Sequence, residues 1–550
     1  MKEKLTGIIK SALGELAAEG LVPGGGAEPQ LSIPKHEGHG DYATNVALSL
    51  AKSAGKPPRA IAEALAEKIG DGGGLLSRVE IAGPGFLNFF LRKAGLFDVV
   101  KRIEEQGDAF GRVDAGAGRR VLVEFVSANP TGPLHVGHGR GAVQGDALAS
   151  VLAAAGYAVA REYYVNDAGV QIQNLGRSTF LRYRQLIEGR DEPLPEGLYQ
   201  GDYIRDHARA LREERGDGVT EDDVPEISQW TAQRILAEID GDLGALGVRF
   251  DGYFHEHTLY DAGAVDRCLD DLRARDLAYE QDGALWFRTT KFGDEKDRVL
   301  VKSGGEKTYL AADIAYHADK LRRGYDELID IWGADHHGYI PRMKAAIEAL
   351  GKNPDTLSVM LIQMVSLLRA GERVSMSTRA GEFVTLRDLT DEVGADATRF
   401  FFLMRRYDSQ LDFDVDLAKE QSNKNPVYYV QYMHARVCSI YAKMAQEGRA
   451  APAPSDEDFA RLTEPEEAQI AQFLAELPDV VARAAQSREA HRLTTYLSDL
   501  AGMFHPYYFK HRVLVDDERL MSARLRLCTA VRQVTRNVLG ILGLSAPETM

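Results

Sequence analysis

The chain contains 550 residues, of which 44% are hydrophobic and 27% are charged, and its formal net charge is −16. A chain of this length is too long for one hydrophobic core, so we expect three or four domains. It has no apolar run as long as a membrane span, and its three cysteines have neither zinc-ligand nor disulfide spacing. These features favour a globular protein of the reducing cytoplasm over a membrane-spanning or disulfide-rich protein.

The negative net charge does not exclude a nucleic-acid partner, because docking depends on local patches rather than on the global charge. Basic side chains outnumber acidic ones beyond residue 500. They are Lys510, Arg512, Arg519, Arg524, Arg526, Arg532 and Arg536. This end of the chain is therefore locally basic, although an ordinary solvated helical face would have the same charge pattern.

The first 112 residues are predicted to form a separate α/β module. Apolar residues recur at helical spacing between residues 5 and 16, with acidic residues among them, which indicates an amphipathic helix rather than a secretory signal. A further helix is predicted over residues 43–51. Residues 79–82 and 86–91 are separated by a Gly-Pro-Gly turn and indicate a β-hairpin.

Between residues 113 and 417, apolar runs alternate with amphipathic segments. The runs predict buried strands at residues 121–126, 158–164, 328–332 and 357–364. Strands that alternate with helices in this way form a doubly wound parallel sheet. We therefore expect an α/β domain over this region.

Two stretches interrupt this alternation, and we interpret both as insertions. Residues 189–225 are polar and rich in Glu and Arg, so we expect a solvated segment with little chemistry there. Residues 250–301 contain short candidate strands such as residues 284–288.

Residues 418–550 are predicted to be helical throughout. One helix begins near Tyr428, and residues 450–455 form an Ala/Pro-rich connection. The last helix carries an apolar stripe formed by Leu527, Val531, Val534, Val538 and Leu542. This pattern predicts an all-α helical bundle.

The most informative segment runs from Glu124 to His138 and reads EFVSANPTGPLHVGH. It follows an apolar strand, contains a Pro/Gly-rich turn and ends in an H-x-G-H sequence at the start of an Ala/Leu-rich helix. A strand, a tight turn and a helix start form a phosphate site in parallel α/β sheets, and two imidazoles one turn apart add directed donors. The alternative is a histidine pair that caps the helix or packs beneath its start.

The pattern E-F-x-S-x-N-P-T-G-P-L-H-x-G-H resembles the first signature of class I aminoacyl-tRNA synthetases, in the form of the arginyl-tRNA synthetase family. Residues 39–48 and 81–90 resemble the N-terminal domain of that family, and residues 524–537 resemble its anticodon-binding domain. The resemblance implies a Rossmann-like doubly wound parallel-sheet catalytic domain, an N-terminal α/β accessory domain that contacts tRNA and a C-terminal all-α helical bundle. The corresponding boundaries are 113–417, 1–112 and 418–550.

The resemblance also implies an activity, the ATP-dependent attachment of L-arginine to tRNA(Arg) through an arginyl-adenylate, with release of AMP and pyrophosphate. ATP would enter as a complex with Mg²⁺, and no tightly bound protein metal is expected. The implied partners are ATP, L-arginine and tRNA(Arg), with no membrane, and the family habit is a monomer.

A planar guanidinium group requires carboxylates and a polar or aromatic wall. Tyr309 and Asp313 match the family's Y-x-x-x-D segment, and at this spacing they share one helical face. The alternative for this pair is a helix cap and a packed ring. The full set of arginine-binding candidates is Glu124, Ser127, Asn129, Tyr309, Asp313 and Asp335.

His135 and His138 are the expected catalytic donors to ATP, and Gly137 would leave room for its base or ribose. The other ATP-binding candidates are Pro133, Leu134, Met364, Met376, Ser377 and His336. Asp335, His336 and His337 are adjacent on one loop, where three ligands rarely converge on one ion. We therefore expect this loop to recognise substrate rather than a metal.

Two further segments match the family. Tyr164-Val-Asn-Asp167 leads from a strand into a helix, and we expect Asp167 or Asn166 to be the helix N-cap. The second class I signature, K-M-S-K-S, corresponds here to Ser375-Met-Ser-Thr378, so both lysines are replaced. Arg379 is the nearest cation, and we expect it to supply the catalytic charge that a lysine would, with a different geometry.

Arg436, Arg524, Arg532 and Arg536 are expected to contact tRNA. Two other functions remain open from the residues alone. A small-metabolite nucleotidyltransferase could use the same H-x-G-H turn, and the altered second signature favours a catalytically altered tRNA-binding homologue.

Overall fold

The computed structural model describes residues 2–24, 28–32, 34, 38–91, 93–374 and 384–550. In its N-terminal part, helices pack against a small antiparallel sheet. The helices are α1 (Lys2–Ala18), α2 (Val46–Ala54), α3 (Pro58–Ile69), α4 (Lys93–Leu96) and α5 (Asp98–Gln106), and the strands are β1 (Tyr42–Thr44), β2 (Leu76–Ala82) and β3 (Phe86–Leu91). The strand order is β1-β3-β2, which confirms the predicted hairpin. The helix predicted from residue 43 begins only at Val46, because the preceding residues pair with β3.

The central part is built on a parallel sheet with helices on both faces. Its strands are β4 (Arg120–Glu124), β5 (Ala158–Val165), β6 (Gly252–His255), β7 (Ala278–Gln281), β8 (Ala284–Phe287), β9 (Arg298–Val301), β10 (Glu327–Gly333), β11 (Leu357–Ile362), β12 (Val365–Arg369), β13 (Glu372–Arg373) and β14 (Leu411–Asp414). Its helices are α6 (Val136–Ala154), α7 (Val170–Glu188), α8 (Asp202–Arg215), α9 (Val224–Ala245), α10 (His257–Asp261), α11 (Ala264–Ala274), α12 (Tyr309–Arg322), α13 (Ile340–Ala349), α14 (Leu386–Val393) and α15 (Ala395–Leu403).

The main sheet has the order β11-β10-β4-β5-β6, with all neighbouring strands parallel. The strand order reverses at β4, so β4 and β10 flank the switch point where open α/β sheets bind ligands beyond the carboxyl ends of their strands. The four predicted strands are confirmed as β4, β5, β10 and β11. Because α6 follows β4, the H-x-G-H sequence lies at this switch point.

Residues 284–287 form β8, which confirms the short strand predicted in the second insertion. Each insertion also makes contacts that the sequence did not predict. The second supplies β6, which pairs with β5 and packs Tyr253 against Tyr163 with ring centroids 5.4 Å apart. The first forms α8, whose Tyr203 hydroxyl donates to the carbonyl of Thr131 over 2.8 Å. The first insertion is therefore not only a solvated segment, because it buttresses the turn before the H-x-G-H sequence.

The C-terminal part is a helical bundle, as predicted. Its helices are α16 (Val415–Lys419), α17 (Pro426–Gln446), α18 (Pro465–Leu474), α19 (Leu477–Ser487), α20 (His491–Lys510) and α21 (Glu518–Ile541). The predicted apolar stripe of the last helix is buried between Leu527 and Leu542. Among the described residues, no helix combines the length and apolar character that a membrane crossing requires.

Buried polar contacts fix the bundle against the central part. Arg399 donates to Asp146 of α6 over 2.6 Å and to the carbonyl of Leu542 over 2.7 Å. It also donates to the carbonyl of Leu246 over 3.0 Å. One buried guanidinium thus joins the helix that begins at the H-x-G-H sequence to the end of α21.

Candidate active site

His135 and His138 form a reciprocal cap at the start of α6. The Nδ1 atom of His135 accepts hydrogen bonds from the backbone N–H groups of Gly137 and His138, over 3.1 and 3.3 Å. The Nδ1 atom of His138 accepts from the backbone N–H of His135 over 3.4 Å. The two rings stack with their centroids 3.7 Å apart. The two histidines therefore cap α6, as the alternative interpretation of this sequence predicted.

Although the imidazoles cap the helix, each keeps one ring nitrogen available to a ligand. Because each Nδ1 atom is an acceptor, the ring proton lies on Nε2, where it can donate to a ligand. Desolvation lowers the pKa of His138 to about 3 and also lowers the pKa of His135. Both rings are consequently neutral near pH 7, and they are hydrogen-bond donors rather than positive charges.

The backbone around this cap is tightly packed. A Cβ atom at Gly137 would lie 2.9 Å from Cε1 of His135, so the missing side chain first of all accommodates the capping ring. Leu134 is buried and Pro133 is half-buried in the turn before it. The carbonyl of Leu134 accepts from the backbone N–H of Leu386 over 2.7 Å, and Thr385 pairs with His135. The chain that follows the second signature therefore returns to the first.

On the second signature, the ATP-binding candidates Met376 and Ser377 and the catalytic candidate Arg379 lie outside the described residues. Met364 is 75% exposed beyond the end of β11. Arg140 of α6 holds this strand end, since it donates to the carbonyl of Gln363 over 2.8 Å. Met364 therefore lies at the same edge of the sheet as the start of α6.

The turn after β4 has an uncommon backbone conformation. Val126 and Ser127 have φ values of 68° and 41°, in the left-handed region that non-glycine residues rarely adopt. The conformation lets the Ser127 hydroxyl donate to Glu124 over 2.9 Å and accept from the backbone N–H of Tyr164 over 3.1 Å. Consecutive residues in this region are characteristic of ligand sites, where the surrounding contacts maintain the strain.

A buried ionic network lies beneath this turn. The ammonium of Lys320, from α12, contacts Glu124 over 2.5 Å and Asp330 over 2.8 Å. His317 Nε2 lies 2.9 Å from Asp330. Burial alone would lower the pKa of Lys320, but Asp330 and Glu124 raise it above its ordinary value. Glu124 thus already has a cationic partner within the protein, which it shares with Asp330.

Two other carboxylates face the same region without such a partner. Burial raises the pKa of Asp313 to about 6, and the Tyr339 hydroxyl donates to its Oδ2 atom. Glu256 is 4% exposed, and its Oε2 atom has no hydrogen-bond partner in the described part of the chain. Burial, together with the charge of Asp313, raises the pKa of Glu256 to about 7 despite contacts with Tyr164 and Tyr260. This pair of acids is suited to a cationic ligand.

A chain of amides and a phenol forms one wall of this region. Asn129 Nδ2 donates to Gln171 Oε1 over 2.8 Å, and Gln171 Nε2 donates to the Tyr309 hydroxyl over 2.9 Å. Tyr309 is the first residue of α12 and is 61% exposed, so it is neither a packed ring nor the N-cap, which is Thr308. Tyr309 and Asp313 stand one turn apart, as their spacing predicts.

The loop after β10 is open to solvent. Asp335 and His336 have side chains that are 81% and 60% exposed, with 3.5 Å between Asp335 Oδ2 and His336 Nε2. Their loop leaves the sheet between β4 and β11, beside the switch point. Neither side chain contacts the acid pair of Asp313 and Glu256 in the structure, so their roles in substrate binding stay predictions.

The expected N-cap role of Asp167 or Asn166 is wrong. The N-cap of α7 is Gly169, without a side-chain hydrogen bond. Asp167 instead accepts from the Nδ1 atoms of His255 and His257, each over 2.7 Å.

The expected RNA-binding arginines have different environments. Arg524 is 8% exposed and donates to Glu467 over 2.9 Å, so its buried ion pair stabilises the bundle and cannot reach RNA. Arg536 is exposed and pairs with Asp108 of the N-terminal part. Arg436 lies over the ring of Tyr432 at 4.5 Å, and Arg532 lies over Tyr441 at 5.3 Å.

Sequence reasoning missed Glu256, Gln171, Tyr339 and Lys320. Lys320 had a signal, because Asp330 interrupts the apolar run of β10 and a carboxylate in a buried strand requires a partner. Lys320 also follows Asp313 and His317 at helical spacing on α12. Glu256 had a weaker signal, an acidic residue after the short aromatic run of β6.

Comparison with known proteins agrees with this architecture along the chain. The profile of the "Arginyl tRNA synthetase N terminal domain" matches residues 3–91. The profile of "tRNA synthetases class I (R), catalytic domain" matches residues 100–184 and 221–408, and that of the "DALR anticodon binding domain" matches residues 430–550.

A curated relative from Syntrophotalea carbinolica, named arginine--tRNA ligase, is 53% identical over 561 aligned residues that cover 100% of both chains. A Campylobacter jejuni structure described as an arginyl-tRNA synthetase is 37% identical, with a TM-score of 0.77, and the match covers 84% of this chain and 100% of that one. The arginyl-tRNA synthetase of Thermus thermophilus, at 24% identity and a TM-score of 0.76 over 100% of both chains, shares the fold. The chain therefore belongs to the arginyl-tRNA synthetase family of class I synthetases.

Proposed function

We propose that the chain acts as an arginine–tRNA ligase, which forms arginyl-adenylate from L-arginine and ATP and then transfers the arginyl group to tRNA(Arg). One observation carries the proposal. A single sheet edge joins a helix start with two neutral imidazole donors to a pair of acids, half-buried Asp313 and buried Glu256, that form no ion pair among the described residues. The first feature suits a polyphosphate and the second suits a guanidinium group.

ATP is proposed to bind at the start of α6, as its Mg²⁺ complex. The Nε2–H groups of His135 and His138 would donate to phosphate oxygens as negative charge develops during attack at the α-phosphorus. Neutral donors also avoid an ion pair that would have to be broken when pyrophosphate leaves. Met364 would lie beside the base, at the end of the strand that Arg140 anchors.

Arginine is proposed to bind across the turn after β4. Asp313 and Glu256 would hold the guanidinium, and the Tyr309 ring would form its wall. Ser127 and Asn129, with Glu124 behind Ser127, would hold the α-amino and carboxylate groups. Lysine cannot satisfy two acceptors arranged for a planar fork, so no editing site is required.

Transfer of the arginyl group requires tRNA(Arg) to reach the same edge of the main sheet. Arg436 and Arg532 on the bundle and Arg536 at its junction with the N-terminal part are the proposed contacts. We propose that the enzyme works as a monomer in the cytoplasm, where charged tRNA is consumed. A small-metabolite nucleotidyltransferase is not favoured, because such an enzyme does not need the family's N-terminal and anticodon-binding domains.

The direct test is amino-acid-dependent pyrophosphate exchange with each of the twenty amino acids, with and without total tRNA. We expect exchange with arginine alone and arginylation of tRNA(Arg) alone. Exchange with another amino acid would overturn the substrate assignment. Exchange without any amino acid, or binding of tRNA without turnover, would favour the two alternative functions.

The altered second signature has its own test. Arg379 is the cation nearest to the replaced lysines, so we expect Arg379→Ala to slow adenylate formation by about 10²-fold, the scale of one lost transition-state donor. Arg373→Ala, before the same segment, is the matched control and should change the rate little. An unchanged rate in Arg379→Ala would remove this residue from the proposed mechanism.

A further inference from the structure

Two imidazoles and a carboxylate form a compact cluster at the carboxyl edge of β5 and β6. Val165 and His255 are register partners, so Asp167 follows one strand where His255 ends the next. His257 begins α10 and turns back to the same carboxylate. The Nδ1 atoms of His255 and His257 each lie 2.7 Å from Asp167 Oδ2. Side chains from two distant chain segments thus converge on one point.

The cluster has the features of a ligand set rather than of a surface ion pair. The Asp167 side chain is 8% exposed, and its second oxygen accepts from the backbone N–H of His257 over 3.1 Å, which fixes its orientation. The imidazoles of His255 and His257 are 37% and 49% exposed, so an ion can reach them from solvent. One ligand atom of each residue lies within 4.8 Å of the others.

We propose that Asp167, His255 and His257 form a binding site for a divalent first-row transition metal ion, with Zn²⁺ as the best fit. Imidazole nitrogens favour Zn²⁺, Cu²⁺, Ni²⁺ or Fe²⁺ over Mg²⁺ and Ca²⁺, which prefer oxygen ligands. Three protein ligands and one or two waters complete a zinc shell with bonds of about 2.0–2.2 Å. Each imidazole would bind the ion through the lone pair of Nδ1, so the ring proton would lie on Nε2 in the metal-bound form.

The ligands of the proposed site are not among the residues proposed to hold ATP or arginine, although the charge of Asp167 contributes to the raised pKa of Glu256. The Mg²⁺ of the ATP complex is a different ion of different ligand preference. Glu256 lies between the two histidines in sequence, but its side chain is buried and its Oε1 atom accepts from the Tyr260 hydroxyl over 3.4 Å. An ion bound by the cluster would join the end of β5 to the β6–α10 corner.

A second cluster provides the control. Glu464, Glu466 and His511 also place ligand atoms within 4.8 Å of one another. There, Glu466 already contacts the ammonium of Lys510 over 2.5 Å, so an incoming cation would meet a resident positive charge. We expect this cluster to contribute no transition-metal binding.

The experiment is titration calorimetry of the full-length protein, treated with a chelator and then titrated with ZnCl₂ alone. We expect one Zn²⁺ per chain. His255→Ala, His257→Ala and Asp167→Asn should each weaken binding by more than about 100-fold, since even outer-shell partners contribute about 10–100-fold to metal affinity. His511→Ala should leave the affinity unchanged. Thermal melts without metal establish that each variant is folded.

Absence of stoichiometric Zn²⁺ binding by the unmodified protein would overturn the proposal, and so would unchanged affinity in the His255→Ala/His257→Ala double variant. If the variants do not fold, the unmodified protein with Co²⁺ still decides the question. The intense visible absorption of a four- or five-coordinate nitrogen–oxygen site supports the proposal. The weak spectrum of six-coordinate aqueous Co²⁺ contradicts it. None of these readouts depends on aminoacylation.

Discussion

Two groups of carboxylates that are wholly or largely withdrawn from solvent lie at one edge of the main sheet, and they differ in their cationic partners. Glu124 and Asp330 share the ammonium of Lys320, which is buried with them. Asp313 and Glu256 face the proposed arginine pocket and form no ion pair among the described side chains. A buried ionised carboxylate is unfavourable unless a cation joins it. The first group is therefore complete within the folded protein, whereas the second is completed by a cationic ligand.

The largest effect should come from breaking the complete group. Lys320→Met leaves Glu124 and Asp330 buried without their cation, and we expect a loss of about 3–5 kcal/mol in the free energy of unfolding. Urea denaturation measures it. Lys302→Met is the matched control, because the exposed pair of Lys302 with Glu306 should contribute less than about 1 kcal/mol. Equal losses of stability in the two variants would show that Glu124 and Asp330 do not depend on Lys320 as their buried cationic partner.

The proposed phosphate site at the start of α6 gives the next largest effect. Its donors are neutral imidazoles, in contrast to the ionic groups of the carboxylate networks. His138→Ala should lower the rate of adenylate formation by about 10²–10³-fold, the effect of removing one preorganised donor. His138→Gln places an amide N–H near the position of Nε2 and should restore part of the rate. Activity close to that of the unmodified enzyme in His138→Ala would place the phosphate site elsewhere.

The pocket acids also predict a pH dependence. Asp313 has a pKa raised to about 6, so below that pH it is protonated in the free enzyme and arginine binding must release the proton. Glu256 has a pKa raised to about 7, so arginine affinity should be flat above pH 7 and fall about tenfold per pH unit between pH 7 and 6. It should fall more steeply below pH 6, where Asp313 also binds a proton. The groups that face Asp313 are Tyr339, His317, Glu124, Lys320, Glu256 and Tyr164. In Asp313→Asn the additional decline below pH 6 should disappear, whereas the decline that begins near pH 7 should remain. An unchanged steeper decline below pH 6 in that variant would assign it to another group.

The sequence predicted the parts of the molecule that depend on local patterns. The apolar runs that form β4, β5, β10 and β11 are long enough to be recognised as strands, and they alternate with amphipathic helices. The H-x-G-H sequence and the Tyr309–Asp313 spacing identify a helix start and a helix face without any long-range information. These features were sufficient to predict the fold class and to identify the resemblance to the family.

The remaining features depend on contacts that are distant in sequence. Lys320 and Glu124 are 196 residues apart, and no local pattern pairs them. The strand before Glu256 has four residues, too few to stand out from an insertion. Arg524 lies in a basic segment, yet tertiary packing turns it inward to Glu467. The burial and the charge partners of individual side chains could therefore be determined only from the structure.

The central claim is that Asp313 and Glu256 recognise the charge of the guanidinium group. The most direct measurement compares binding of L-arginine with that of L-citrulline, its uncharged analogue, to the unmodified enzyme and to Glu256→Gln. We predict that the variant loses about 2–4 kcal/mol of arginine binding, while its weak citrulline binding changes little, so the preference for arginine collapses. Unchanged arginine affinity in Glu256→Gln, or equal losses for both ligands, would contradict the account.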